Sequence, residues 1–203
     1  QTGRRILCNH RNIHMRVRHM LKNKLFLKKY EREAAVAYAL RWKDGRNPEY
    51  FNFDVLCGDD TSFVSQCIYA GSGVMNYTKV SGWYYMSTAC RSAAWSGAQY
   101  LYEFFIQNKG EGPYGCILPP ACAAPGDILQ IRDTPQDPYD TMLVTANDNG
   151  EKIFICGHTL AVRPAFIDPC ETAFSLRCIH ILGVRAWEPS DRFSEHKKLT
   201  SRR

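Results

Sequence analysis

The strongest constraint on this chain is a change of rhythm near residue 112. Before that point apolar residues recur at helical spacing. After Pro113 they come in short runs of β-branched and aromatic residues separated by turns. Three segments carry the helical period. "KKYEREAAVAYALRWKDG" is alanine-rich, sets Tyr30, Ala34, Ala37, Tyr38 and Leu40–Arg41 in step, and ends at Asp44-Gly45. "DDTSFVSQCIYAGSG" opens with N-cap candidates, carries an apolar face of Phe63, Val64, Cys67 and Ile68, and offers Gly71 as its stop. "SAAWSGAQYLYEFFIQNKG" reads as one helix with Trp95, Leu101 and Phe105 inward. The segments "GDILQI", "TMLVTAND", "EKIFICGHT" and "FSLRCIHILGV" read as strands, and Asn149-Gly150 between two of them is a strong hairpin signal. Helices first and an antiparallel sheet second predict an α+β fold whose halves share one core.

The chain has 203 residues, 45% of them hydrophobic, which suits one compact domain. No apolar run reaches the length of a membrane span. The net charge of +6 is uneven: residues 1–30 hold nine Lys or Arg and no acid. This divides the chain into a basic arm or helix over 1–27, a body over 28–190 and a charged tail over 191–203. The arm suits an anionic partner, or simply forms a solvated basic surface. Nine cysteines, an odd number without a C-x-x-C pair, argue against a zinc ribbon and for reduced packing thiols. The expected compartment is therefore the cytoplasm. The expected cofactor complement is none.

The order of elements, together with "REAAVAYALRW", "NPEYFNFD", "GDDTSFVSQCIYAG", "GWYYM", "GPYG", "PGDILQI", "YDTMLVT" and "GHT", resembles the putative amidase domain family. That family is a branch of the papain-like hydrolases related to bacterial cell-wall endopeptidases. The resemblance covers about residues 30–184. It implies a papain-like fold, N-terminal helices packed on a C-terminal antiparallel sheet, and a thiol nucleophile at the start of the second helix. Aligned on "FVSQC", the family's cysteine falls on Asp60 and its histidine on Asp140; a third polar group matches His158, in His158-Thr159.

A carboxylate at position 60 does not replace a thiolate held by a helix dipole and an imidazolium. Cys57 and Cys67 are the nearest thiols, the first before the turn and the second on the buried face. One reading is a pseudoenzyme that keeps the fold to bind a peptide or glycopeptide. A second is an Asp60–Asp140 dyad that shares a proton and activates water. A third is a metal held by Asp60, Asp140 and His158, with Asp59 in reach. Asp59 also reads as an N-cap or loop brace, Trp83, Tyr84 and Tyr85 as a substrate groove, Trp95 as groove or core, and His180 as a structural histidine.

Overall fold

The structure, a computed structural model, describes residues 24–56, 58–158 and 165–188. The basic arm through residue 23, Cys57, Thr159 and the charged tail lie outside them. The chain divides into two units: one of residues 1–26 and 186–203, the other of residues 27–185. In the first, the described residues include a backbone bond from Glu188 N to Lys24 O.

The elements run β1 (Leu25–Lys28), α1 (Arg32–Trp42), α2 (Asp60–Ser72), β2 (Tyr85–Ser87), β3 (Cys90–Arg91), α3 (Ala93–Ser96), α4 (Ala98–Gln107), β4 (Gly112–Leu118), β5 (Ile128–Arg132), β6 (Asp140–Asp148), β7 (Lys152–Cys156), β8 (Phe166–Ile167) and β9 (Ser175–Trp187). The main sheet has the order β1-β9-β5-β6-β7-β8, and β4 also pairs with β9. The pairs β4–β9, β5–β9, β5–β6, β6–β7 and β7–β8 are all antiparallel. The architecture is α+β, as the change of period predicts.

The β6–β7 hairpin turns on Asn149 and Gly150, both at positive φ (50° and 86°), with Glu151 N donating to Asp148 O at 2.9 Å. Two consecutive left-handed residues give the turn whose twist matches that of the flanking strands. The pleat then divides the sheet's side chains. Ile128, Leu143, Cys156 and Ile179 join Phe63, Val64, Cys67, Ile68, Leu101 and Phe105 in the main core. Leu129, Ile131, Met142, Val144, Ile153, Ile155 and Cys178 form a second cluster on the opposite face.

Helix α2 is the centre of the domain. Every residue from Asp60 to Ile68 is buried, so its environment is closed on all sides and not along one stripe. Helix α1 contributes Ala35 and Ala39, both buried, in place of the Ala34, Ala37 and Leu40 expected from the sequence; Leu40 is exposed.

Three local expectations are corrected. Helix α2 stops at Gly73, whose φ of 62° makes the left-handed C-cap, and not at Gly71. A Cβ at Gly71 would lie 2.5 Å from the Tyr30 ring and 2.7 Å from Glu31 O, so that glycine serves close approach. The third helix is two, α3 and α4, because Gly97 is extended (φ −121°, ψ 121°). Strand β4 was not among the segments read as strands: Gly112–Leu118 pairs along β9.

Candidate functional site

Position 60 sits at the first turn of α2, and position 140 is the first residue of β6. One residue further on, the two elements touch directly: Thr61 Oγ1 and Thr141 Oγ1 lie 3.0 Å apart, both buried. Thr141 also accepts from Gln130 Nε2 at 3.3 Å, and the same amide donates to Ala98 O at 2.8 Å. Gln130 Oε1 accepts from both Nε (2.8 Å) and Nη2 of Arg177. This polar chain fixes the start of β6 against the start of α2 and against α4. The guanidinium of Arg177 is held between the rings of Tyr102 and Tyr139, 3.8 and 4.2 Å from their centroids. Burial pushes its pKa down from the ordinary arginine value.

Asp60 and Asp140 line one cavity of about 440 Å³. Its wall also includes Gly58, Thr61, Tyr100, Arg132, Asp137 and Tyr139. Asp60 is itself largely buried, at 7% exposure. Arg132 lies 4.7 Å from the Tyr139 ring centroid, and its Nε is a buried donor with no hydrogen-bond partner among the described residues.

His158 is held elsewhere. Its Nδ1 is 2.7 Å from Asp59 Oδ2, and its Nε2 is 3.1 Å from the carbonyl of Trp42. A carbonyl only accepts, so Nε2 is the donor there, while the hydrogen toward Asp59 belongs to either partner. Both side chains are 2% exposed. The imidazole stacks on Phe63 at 3.9 Å between centroids. Asp59 also accepts from Phe53 N at 3.3 Å and lies 3.4 Å from Arg46 Nε. It is the N-cap residue of α2 by position but makes no side-chain cap bond; it braces the loop before the helix. The structure thus brings Asp60 and Asp140 to one cavity and gives His158 to Asp59.

The groove expected from three aromatics changes. Trp83 is fully buried, with Nε1 donating to Ser65 Oγ at 3.0 Å and its ring 5.2 Å from that of Trp95, so it lines no groove. Trp95 is equally buried. Tyr84 packs against Tyr77, and Tyr85 against Tyr50 and Trp95. Tyr100 and Tyr139 are the aromatic residues of the cavity wall. Among the described residues no group of three or more His, Cys, Asp or Glu is arranged to hold a metal ion.

A second buried ionic cluster was not foreseen. Asp127, fully buried, accepts from Arg32 Nη1 (2.7 Å), Ala124 N (2.8 Å) and Ile181 N (3.0 Å), and lies 2.7 Å from His180 Nδ1. His180 is therefore structural, as read from its strand. Of the described cysteines, Cys67, Cys90, Cys116, Cys122, Cys156, Cys170 and Cys178 are free.

Against this geometry stand the comparisons. Residues 29–173 match the family described as "Putative amidase domain", and the chain belongs to that family. It is 30% identical over 134 residues to the "Uncharacterized protein YhbB" of Bacillus subtilis (strain 168); the match covers 64% of this chain and 42% of that protein. The chain thus spans less than half the length of this relative. No solved structure matches. Among the described residues, no helix is long and apolar enough to cross a membrane.

Proposed function

We propose that this is a papain-like amidase-family domain that binds a peptide-type ligand without the family's cysteine–histidine hydrolysis. The supporting observation is that Asp60 and Asp140, standing where the family's words put thiol and imidazole, line one cavity of ligand size. Neither is a nucleophile able to expel an amine as a thiolate does. His158 supports the same reading. Both of its ring nitrogens are engaged, by Asp59 and by the Trp42 carbonyl, and neither is left for a ligand's proton.

A second reading is favoured by that same shared cavity. Two carboxyl groups on one cavity can share a proton and activate water, with the helix dipole favouring the ionised form of Asp60. Incubating the protein with randomised synthetic hexapeptides separates the two, because mass spectrometry reads both retained peptides and new termini. The binding reading expects retention with no new termini between acid and neutral pH. The dyad expects cleavage with a bell-shaped pH dependence, abolished by Asp60→Asn and by Asp140→Asn alike.

A further inference from the structure

A second cavity adjoins the first. It measures about 330 Å³, and Tyr100 stands in the walls of both. The ridge between them is built locally. The chain bends at the extended Gly97 between α3 and α4. A Cβ at Gly97 would lie 2.9 Å from the Tyr100 ring, so only glycine lets Tyr100 rest where it does. Tyr100 is 57% exposed, a ridge top and not a core residue.

The two cavities differ in chemistry. The first has three carboxylates, Asp60, Asp137 and Asp140, facing one guanidinium, Arg132. The second balances Glu103 against Lys109, and the rest of its polar side chains are uncharged: Asn76, Thr78, Ser81, Gln107 and Asn108 with Tyr100. Asn76 and Asn108 are spent on the loop itself: Asn76 Nδ2 donates to Glu111 O at 2.8 Å, and Asn108 Nδ2 to Glu111 O and Pro113 O, each at 2.9 Å. Ser81 and Gln107 are exposed and free to face a ligand. A hydroxyl and a primary amide together offer donors and acceptors that match the one N–H and one C=O of each peptide unit.

We infer that this second cavity is a subsite for the continuing backbone of the peptide whose end enters the Asp60/Asp140 cavity, so that the domain reads an extended chain laid across Tyr100. The inference rests on the binding reading above and adds a length requirement to it. An extended chain advances about 3.3–3.6 Å per residue, so a hexapeptide is about three times as long as a dipeptide, and the inference requires that the longer chain gain contacts in the second cavity that the shorter one lacks.

The test compares wild type with Ser81→Trp, which fills the second cavity from an exposed position, with Gln107→Ala, and with Asp140→Lys, which obstructs the first. Synthetic hexapeptides enriched on the immobilised wild-type protein are measured by calorimetry, beside the dipeptides forming their ends, with thermal melts as the folding control. The expected result is a loss of about tenfold or more in hexapeptide affinity for Ser81→Trp and a smaller loss for Gln107→Ala, with the Kd of the dipeptide unchanged by either. Hexapeptide binding that Ser81→Trp and Gln107→Ala leave unchanged but Asp140→Lys removes would overturn the subsite and keep the binding reading. A wild-type protein that enriches no peptide would overturn both.

Discussion

Asp59 and His158, 99 residues apart in the chain, meet at 2.7 Å in a pocket that leaves each side chain only 2% exposed. The contact joins the residue before α2 to the turn that follows β7 and, through the second ring nitrogen, to the last residue of α1. Removing one member leaves the other buried without its partner, at a typical cost of about 3–5 kcal/mol. His158→Ala and Asp59→Ala are therefore expected to lower the urea midpoint sharply, with little change in the slope of the transition.

Asp127 is expected to behave alike. It holds Arg32, His180 and two backbone N–H groups at once, so Asp127→Ala orphans several donors together. Urea unfolding should show a loss of at least about 3 kcal/mol, larger than that of Arg32→Ala, whose side chain is partly exposed.

The thiols separate by burial. Burial pushes the pKa of Cys67 well above its ordinary value, Cys156 up to about 11 and Cys178 up to about 12. Cys90, Cys122 and Cys170 are exposed. Brief iodoacetamide treatment of the native protein at pH 8, read by peptide mapping, should label the exposed three and spare the buried three until urea is added.

The same shifts set an alkaline limit. A thiol whose folded pKa lies above its unfolded value of 9.0 adds stability that is complete below about pH 9. That contribution falls as pH rises through about 11 for Cys156 and about 12 for Cys178. Tyr50, pushed up to about 12 by burial, adds to the loss from its own ordinary value of 10.0 upward. Unfolding free energy measured from pH 8 to 11 should hold to about pH 9 and decline above it, and Cys156→Ser should make that decline shallower.

Much of this architecture was legible in the residues. The helical segments before residue 112 and the strands β5, β6, β7 and β9 after it follow from period, while β1 to β4 do not, and the Phe63/Val64/Cys67/Ile68 face of α2 lies in the core. What was not legible depends on tertiary choices. Gly71 reads as the helix stop, and only the position of the Tyr30 ring shows that it serves close approach while Gly73 makes the left-handed cap. Trp83 sits in an aromatic run that suits a groove, but Ser65 offers its indole a buried acceptor and the core takes it. The partners of Asp59 and Asp127 lie far away in sequence, so neither periodicity nor a local motif marks them. The resemblance named Asp60 and Asp140, and the cavity that unites them needed the coordinates.

The most direct test asks whether positions 60 and 140 still form one site. Asp60→Cys puts a thiol at the helix N-terminus, and Asp140→His adds an imidazole beside it. The measurement is the iodoacetamide rate at position 60 against pH, by peptide mapping, for the single variant and the double. A thiol paired with an imidazolium at a helix start is ionised well below the usual range near 8.5. The account predicts that the double variant is alkylated at pH 6 about tenfold or more faster than Asp60→Cys alone. Equal rates in two well-folded variants, both rising only near pH 8.5, would mean that the two positions do not face each other across one site.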